Sequence, residues 1–147
     1  MPSARRTIVI HRPPDQVFAF FTDHANDSTW RPMVIEIDSV SRAPVGTRVH
    51  QVIKGPGGRR LGSDIEVTAN DPPSRYAFQV VAGPVRPRGE YRFIETANGT
   101  EAHFSLDAEL GGIKKLLMSG PVQRSMDGEM AALDTAKRLI EAAETTG

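Results

Sequence analysis

Hydrophobic and polar positions divide this chain into two regimes of periodicity. Over residues 7–110, apolar side chains mostly alternate with polar ones, the two-residue period of strands buried on one face. Beyond Pro121 the period changes. At about 100° per residue, Val122, Met126, Met130, Leu133, Ala136 and Ile140 fall on one stripe roughly 120° wide, which predicts an amphipathic helix over 121–143. Pro121 suits a first helical turn, with Ser119 or Gly120 before it as the cap.

The alternating region predicts strands over 7–11, 34–40, 47–53, 63–68, 75–81, 89–95 and 101–110. After the first strand, Pro13 and Pro14 open a short helix carrying Val17, Phe20 and Phe21 on one face, and a second short helix is expected around Trp30. Asn98-Gly99 reads as a two-residue hairpin turn, and Gly55 to Gly58, Asp71-Pro72-Pro73 and Gly83-Pro84 punctuate the other strands. Because turns and not helices join the strands, the sheet should be antiparallel. Parity then assigns the faces. Ala102, Phe104, Leu106 and Ala108 point inward, since every residue between them is polar. Tyr91 and Phe93, Tyr76, Phe78 and Val80, and Ile65 and Val67 follow the same rule. In 47–53 the inward set is Val49, Gln51 and Ile53.

Composition narrows the function classes. The 147 residues fit a single domain, 1–147, with no internal repeat or linker. Lys plus Arg equals Asp plus Glu, 18 against 18, so no global field draws nucleic acid or an anionic membrane. There is no cysteine, which removes disulfides, thiolate metal sites and cysteine nucleophiles. No apolar run nears the ~18 residues of a membrane span, and the block 7–10 is too short for a signal peptide, so a cytoplasmic location without membrane insertion is expected. The four histidines, His11, His24, His50 and His103, show no metal-ligand spacing, so no metal site is expected. Gly55 to Arg60 lacks the Lys-Ser/Thr ending of a phosphate loop and precedes a strand, so a solvated hairpin is the better account.

Several landmarks in order resemble the START-like, or SRPBCC, superfamily, in particular its bacterial polyketide cyclase/dehydrase and lipid-transport group. They are Ile8-Val9-Ile10-His11-Arg12-Pro13-Pro14-Asp15-Gln16-Val17-Phe18, Thr22-Asp23, Trp30-Arg31-Pro32, Pro72-Pro73-Ser74-Arg75-Tyr76-Ala77-Phe78, Tyr91-Arg92-Phe93 before Asn98-Gly99-Thr100, and Lys137-Arg138-Leu139-Ile140-Glu141. The resemblance implies an α+β helix-grip fold: a curved seven-stranded antiparallel sheet wrapped around the long C-terminal helix, two short helices after the first strand, and a cavity between sheet and helix. It implies no cofactor. Ala136 departs from the pattern, since a larger aliphatic residue is common there.

In that architecture the candidate lining is Phe78, Phe93, Phe104, Leu106, Met126, Met130 and Leu133, with Leu117 and Met118 near one end. Trp30, Gln51, Tyr76 and Tyr91 are the candidate polar tips. Such walls suit a hydrophobic small molecule, lipid- or polyketide-like, bound or transported; the same residues also read as plain core. The alternative is an enzyme of the cyclase, aromatase or dehydratase kind acting in the same cavity. Glu129, between Val122 and Ala136 on the buried stripe, is its candidate acid or base, and would need to face inward with a raised pKa instead of leaning into solvent. The segment 111–120, with glycines flanking Ile113, Leu116, Leu117 and Met118, reads as a lid, as a contact for a membrane or a second copy in a homodimer, or as a connecting loop.

Overall fold

The computed structural model describes residues 3–55, 58–82, 85–108 and 112–143, the side chains of 112–119 excepted. Strand β1 (Ser3–Ile10) leads into α1 (Pro14–Thr22), a 3-10 turn (His24–Asn26) and α2 (Asp27–Trp30). Then come β2 (Val34–Ile37), β3 (Arg48–Val49), β4 (Gln51–Lys54), β5 (Arg60–Gly62), β6 (Ile65–Asp71), β7 (Arg75–Val80), β8 (Arg88–Thr96), β9 (Gly99–Asp107) and α3 (Gly112–Ala142). Six strands form one sheet in the order β1-β9-β8-β7-β6-β3, and β2-β4-β5 form a second. Every pairing is antiparallel. The α+β, helix-on-sheet expectation holds, but the seven expected strands become nine among the described residues.

The difference has a local cause. The expected strand 47–53 divides at His50: Arg48 and Val49 pair with β6, whereas Gln51 to Lys54 pair with β2 and β5. His50 sits at the corner, half-exposed, with its ring on Asp64 Oδ1 at 2.6 Å. Strand β5 went unseen because Arg60-Leu61-Gly62 lacks β-branched residues and has one apolar side chain. It exists because Gly55 N–H donates to the Arg59 carbonyl at 2.8 Å and Lys54 pairs with Arg60, bringing the segment back onto β4.

Strand parity was legible. Ala102, Phe104, Leu106 and Ala108 are buried, as are Tyr91, Phe93, Tyr76, Val80, Ile65, Val67, Val49 and Gln51. The helical stripe was too: Val122, Met126, Met130, Leu133, Ala136 and Ile140 are all buried. In α1, Phe18 and Phe21 are buried and Phe20 only half so. One boundary needs correction. Helix α3 begins at Gly112, so Pro121 lies inside it and does not start it. A proline reads as a start because an interior one forfeits a hydrogen bond and crowds the preceding turn, but the flanking residues carry the helix through. The backbone of 112–120 is therefore helical rather than a loop; the side chains of Leu117 and Met118, and Gly111 altogether, lie outside the described residues.

Helix α3 is fastened along the β1 edge. Ser3 N–H donates to Gln123 Oε1 (3.2 Å) and Gln123 Nε2 donates back to Ser3 O (2.7 Å). Arg6 donates to Met130 O (2.9 Å) and to Asp134 Oδ1 (2.5 Å). His11 N–H donates to Glu141 Oε2 at 2.8 Å, and the Arg12 guanidinium reaches the Glu141 carbonyl.

The last hairpin is displaced by one residue from the expected Asn98-Gly99 turn. Thr96 pairs with Gly99, leaving Ala97 and Asn98 at the tip. Gly99 itself has φ +135°, and a Cβ there would lie 2.3 Å from the Ile10 carbonyl oxygen. Conformation and close approach both demand glycine. Gly99→Ala is expected to destabilise the fold by roughly 2 kcal/mol or more, read from the midpoint of urea unfolding.

Candidate functional site

Between α3 and the two sheets lies a cavity of about 230 Å3. One wall is helical: Val122, Ser125, Met126, Gly128 and Glu129. The opposite wall comes from both sheets, with Gln51 and Ile53 of β4, Leu61 of β5, Ile65 of β6, Tyr76, Phe78 and Val80 of β7, Tyr91 of β8, and Phe104 and Leu106 of β9. Gly89, opposite Phe78 in the β7–β8 register, has its Cβ position filled by the Phe78 ring, only 2.2 Å away. The absent side chain gives that ring its place.

Of the residues singled out from the sequence, Gln51, Tyr76, Phe78, Tyr91, Phe104, Leu106, Met126 and Glu129 line this cavity. Trp30, Phe93, Met130 and Leu133 do not; they are buried in the core beside it. Their faces are spent on neighbours. Phe93 stacks near Tyr91 and Phe21 (ring centroids 6.0 and 5.7 Å), and Trp30 meets Phe21 edge-on at 5.4 Å. Met130 and Leu133 lie further along α3, past the hollow. Leu117 and Met118 have no described side chains.

The polar end of the cavity is built by the segment around Trp30, where the sequence predicts a short helix but singles out only Trp30 as a site residue. His24, Asp27 and Arg31 come from the 3-10 turn, α2 and its C-terminal cap. His24 and Asp27 are buried, 5% and 4% exposed. Asp27 Oδ2 lies 3.2 Å from His24 Nδ1, and His24 Nε2 lies 2.8 Å from the Tyr76 hydroxyl. In the neutral ring a carboxylate can only accept, so Nδ1 carries the proton and Nε2 accepts from tyrosine. Arg31 spans the site: Nε and Nη2 donate to the two oxygens of Glu129 at 2.9 and 2.8 Å, and Nη1 donates to Asp27 Oδ2 (3.0 Å) and Gln51 Oε1 (3.2 Å). Glu129 thus faces inward but has both oxygens on a guanidinium. The signal available in the sequence was Asp27 and Arg31 four apart around Trp30, a helical ion-pair spacing beside a residue that seldom stays in water.

Burial alone would lower the Arg31 pKa, but the charge and hydrogen bonds of Glu129, with the charge of Asp27, hold it above the ordinary arginine value. Burial first, and then the negative charge of Asp27, push both Tyr76 and Tyr91 above the ordinary phenol value. Among the described residues no group of three or more His, Asp or Glu side chains is placed to hold a metal ion, and no helix is long and apolar enough to cross a membrane.

Two outcomes follow from these electrostatics. Arg31→Met strands two carboxylates and should destabilise by about 3 kcal/mol in urea unfolding, whereas Glu129→Gln, which leaves Arg31 on Asp27, should be distinctly milder. The chain has two tyrosines, both in this site. Their absorbance near 295 nm should stay that of phenol well above pH 10 in the folded protein, while the urea-unfolded chain ionises near 10. Because the folded values lie above the unfolded ones, the linked stability is complete below about pH 10 and is lost as pH rises toward the folded values.

No curated protein matches this sequence. Solved structures share the fold. A Thermus thermophilus protein superposes with TM-score 0.80 at 23% identity, covering 98% of this chain and 100% of its own. A Chromobacterium violaceum protein gives TM-score 0.73 at 16% identity, covering 96% and 98%. A START superfamily protein from Mycobacterium smegmatis gives 0.72 at 11% identity, covering 94% and 98%. At these identities the likeness speaks for architecture. The sequence itself matches a family profile over residues 1–138, nearly the whole chain, and on that ground the protein belongs to the polyketide cyclase/dehydrase and lipid transport family.

Proposed function

We propose that the protein binds a small hydrophobic molecule in the cavity under α3 and carries or sequesters it. The observation that supports this reading is the hollow itself: about 230 Å3, walled mainly by Phe, Leu, Ile, Val and Met, with polar groups gathered at one end. A cavity of ~150 Å3 lined by Leu, Ile and Phe stays dry and takes up benzene, so this one suits a single ring with short substituents or a compact bicyclic body. Burying such a guest gains about 25 cal/mol per Å2 of apolar surface, before the losses of association. The soft thioether of Met126 suits more than one guest shape.

Within this reading Glu129 serves as the counter-ion that positions Arg31, not as an acid or base moving a proton on the guest. The cyclase or dehydratase alternative needs a group free to exchange a proton, and both Glu129 oxygens are taken.

The test is to fill the hollow. Val122→Phe adds a ring on the helical wall, and is expected to raise the melting temperature by a few degrees while abolishing the further rise that ethylbenzene gives the wild type. Native mass spectrometry of protein purified from its own host should likewise show a retained small molecule that the variant lacks. A wild type that neither responds to ethylbenzene nor retains any molecule would end the carrier reading.

A further inference from the structure

We propose that the polar end of the cavity selects a neutral hydrogen-bond acceptor, the carbonyl of a ketone, ester or lactone on a small apolar body, in preference to a carboxylate or a bare hydrocarbon. The inference rests on the ligand-binding reading above and names the chemistry of the ligand's polar group.

It follows from which polar atoms are already used. Three nitrogens of Arg31 are committed to Glu129, Asp27 and Gln51, and both Glu129 oxygens to Arg31. Both ring nitrogens of His24 and the Tyr76 hydroxyl are committed to one another and to Asp27. Asp27 Oδ1 has no partner among the described residues, but it is sealed off and cannot reach a guest. Apart from Ser63 and Ser125, two polar side chains on the cavity wall keep a group uncommitted beside the Arg31 cluster. The Tyr91 hydroxyl has no hydrogen-bond partner among the described residues, and it is not among the sealed side-chain atoms. Gln51 turns its oxygen to Arg31, so its NH2 points the other way, and it too is unpartnered there and not sealed.

Both leftovers can donate, the Gln51 NH2 exclusively and the Tyr91 hydroxyl with the option of accepting as well. An amide NH2 can only donate, and burial beside Asp27 keeps the Tyr91 hydroxyl protonated. A carbonyl oxygen, with two lone pairs, is the group that two donors satisfy. Ser63 and Ser125, also on the wall, can give or take and so do not discriminate. Charge argues against an anion. The trio of Asp27, Arg31 and Glu129, buried or nearly so, holds one more negative charge than positive, and four of the five guanidinium N–H groups are already given to Glu129, Asp27 and Gln51. Lys54 and Arg124 on the lining are exposed, so a carboxylate drawn to them would stay in water and outside the donor pair.

Three probes of one size separate the outcomes: acetophenone, benzoate and ethylbenzene, titrated into the full chain by calorimetry. Ethylbenzene is the most apolar, so its transfer from water favours it, and any advantage of acetophenone must come from hydrogen bonds. Acetophenone is expected to bind about tenfold more tightly than ethylbenzene, and benzoate no better than ethylbenzene. Tyr91→Phe, which keeps the ring in its stack on Phe104 but leaves only the Gln51 donor, should remove most of acetophenone's advantage over ethylbenzene. Independently of any variant, the carbonyl carbon resonance of labelled acetophenone should move downfield on binding to the wild type. If benzoate equals or exceeds acetophenone, or if acetophenone gains nothing over ethylbenzene, the acceptor rule is overturned while the cavity reading stands. If none of the three binds, both fall.

Discussion

A guanidinium removed from water has to be matched by carboxylates, and at the centre of this protein that requirement ties together pieces that are distant in the chain. Arg31 draws Asp27 from its own short helix, Glu129 from the long one, and Gln51 from the smaller sheet. Taking such charges out of water costs several kcal/mol per ion, and only geometry of this quality offsets it. The cluster is therefore less a source of stability than a statement of arrangement. Packing that separated α2 from α3 at this end would leave an uncompensated charge in an apolar site.

The cavity is the other side of that arrangement. Helix α3 is laced to β1 through Gln123, Met130, Asp134 and Glu141, so it lies close to one edge of the six-stranded sheet. The aromatic core, where Tyr91 stacks on Phe104 at 4.3 Å, fills the middle. Toward β6 and β7, and under the three-stranded sheet that the break at His50 turns aside, the two layers no longer mesh. The Arg31 cluster holds that gap at a fixed width at its polar end.

What the sequence disclosed and what it withheld divide along a physical line. Periodicity reports burial, and it was right wherever burial alternates regularly, along β9 and along the stripe from Val122 to Ile140. It was blind to whether a buried side chain faces another side chain or empty space, which is why Phe93, Met130 and Leu133 were grouped with Phe104 and Met126. Rotation about a helix and position along a strand separate those two fates, and both depend on neighbours far away in the chain. Polar residues were hardest. His24, Asp27 and Arg31 look like a solvated turn until their partners Tyr76, Gln51 and Glu129 are brought to them. Pro121 misled for the opposite reason: its local preference is strong, and the surrounding helix overrode it.

The lacing of α3 to β1 has a bearing on traffic. A seam stitched at three points leaves no passage on that flank without breaking several hydrogen bonds at once. The opposite margin carries Lys54 and Gly62 on the sheet wall and Arg124 on the helical one, all exposed, and among the described residues no hydrogen bond stitches helix to strand there. For a guest bound as proposed above, the way in and out would run between β4–β5 and the turns of α3 after Pro121, and its polar end, on Tyr91 and Gln51, would leave last because those two stand deeper in.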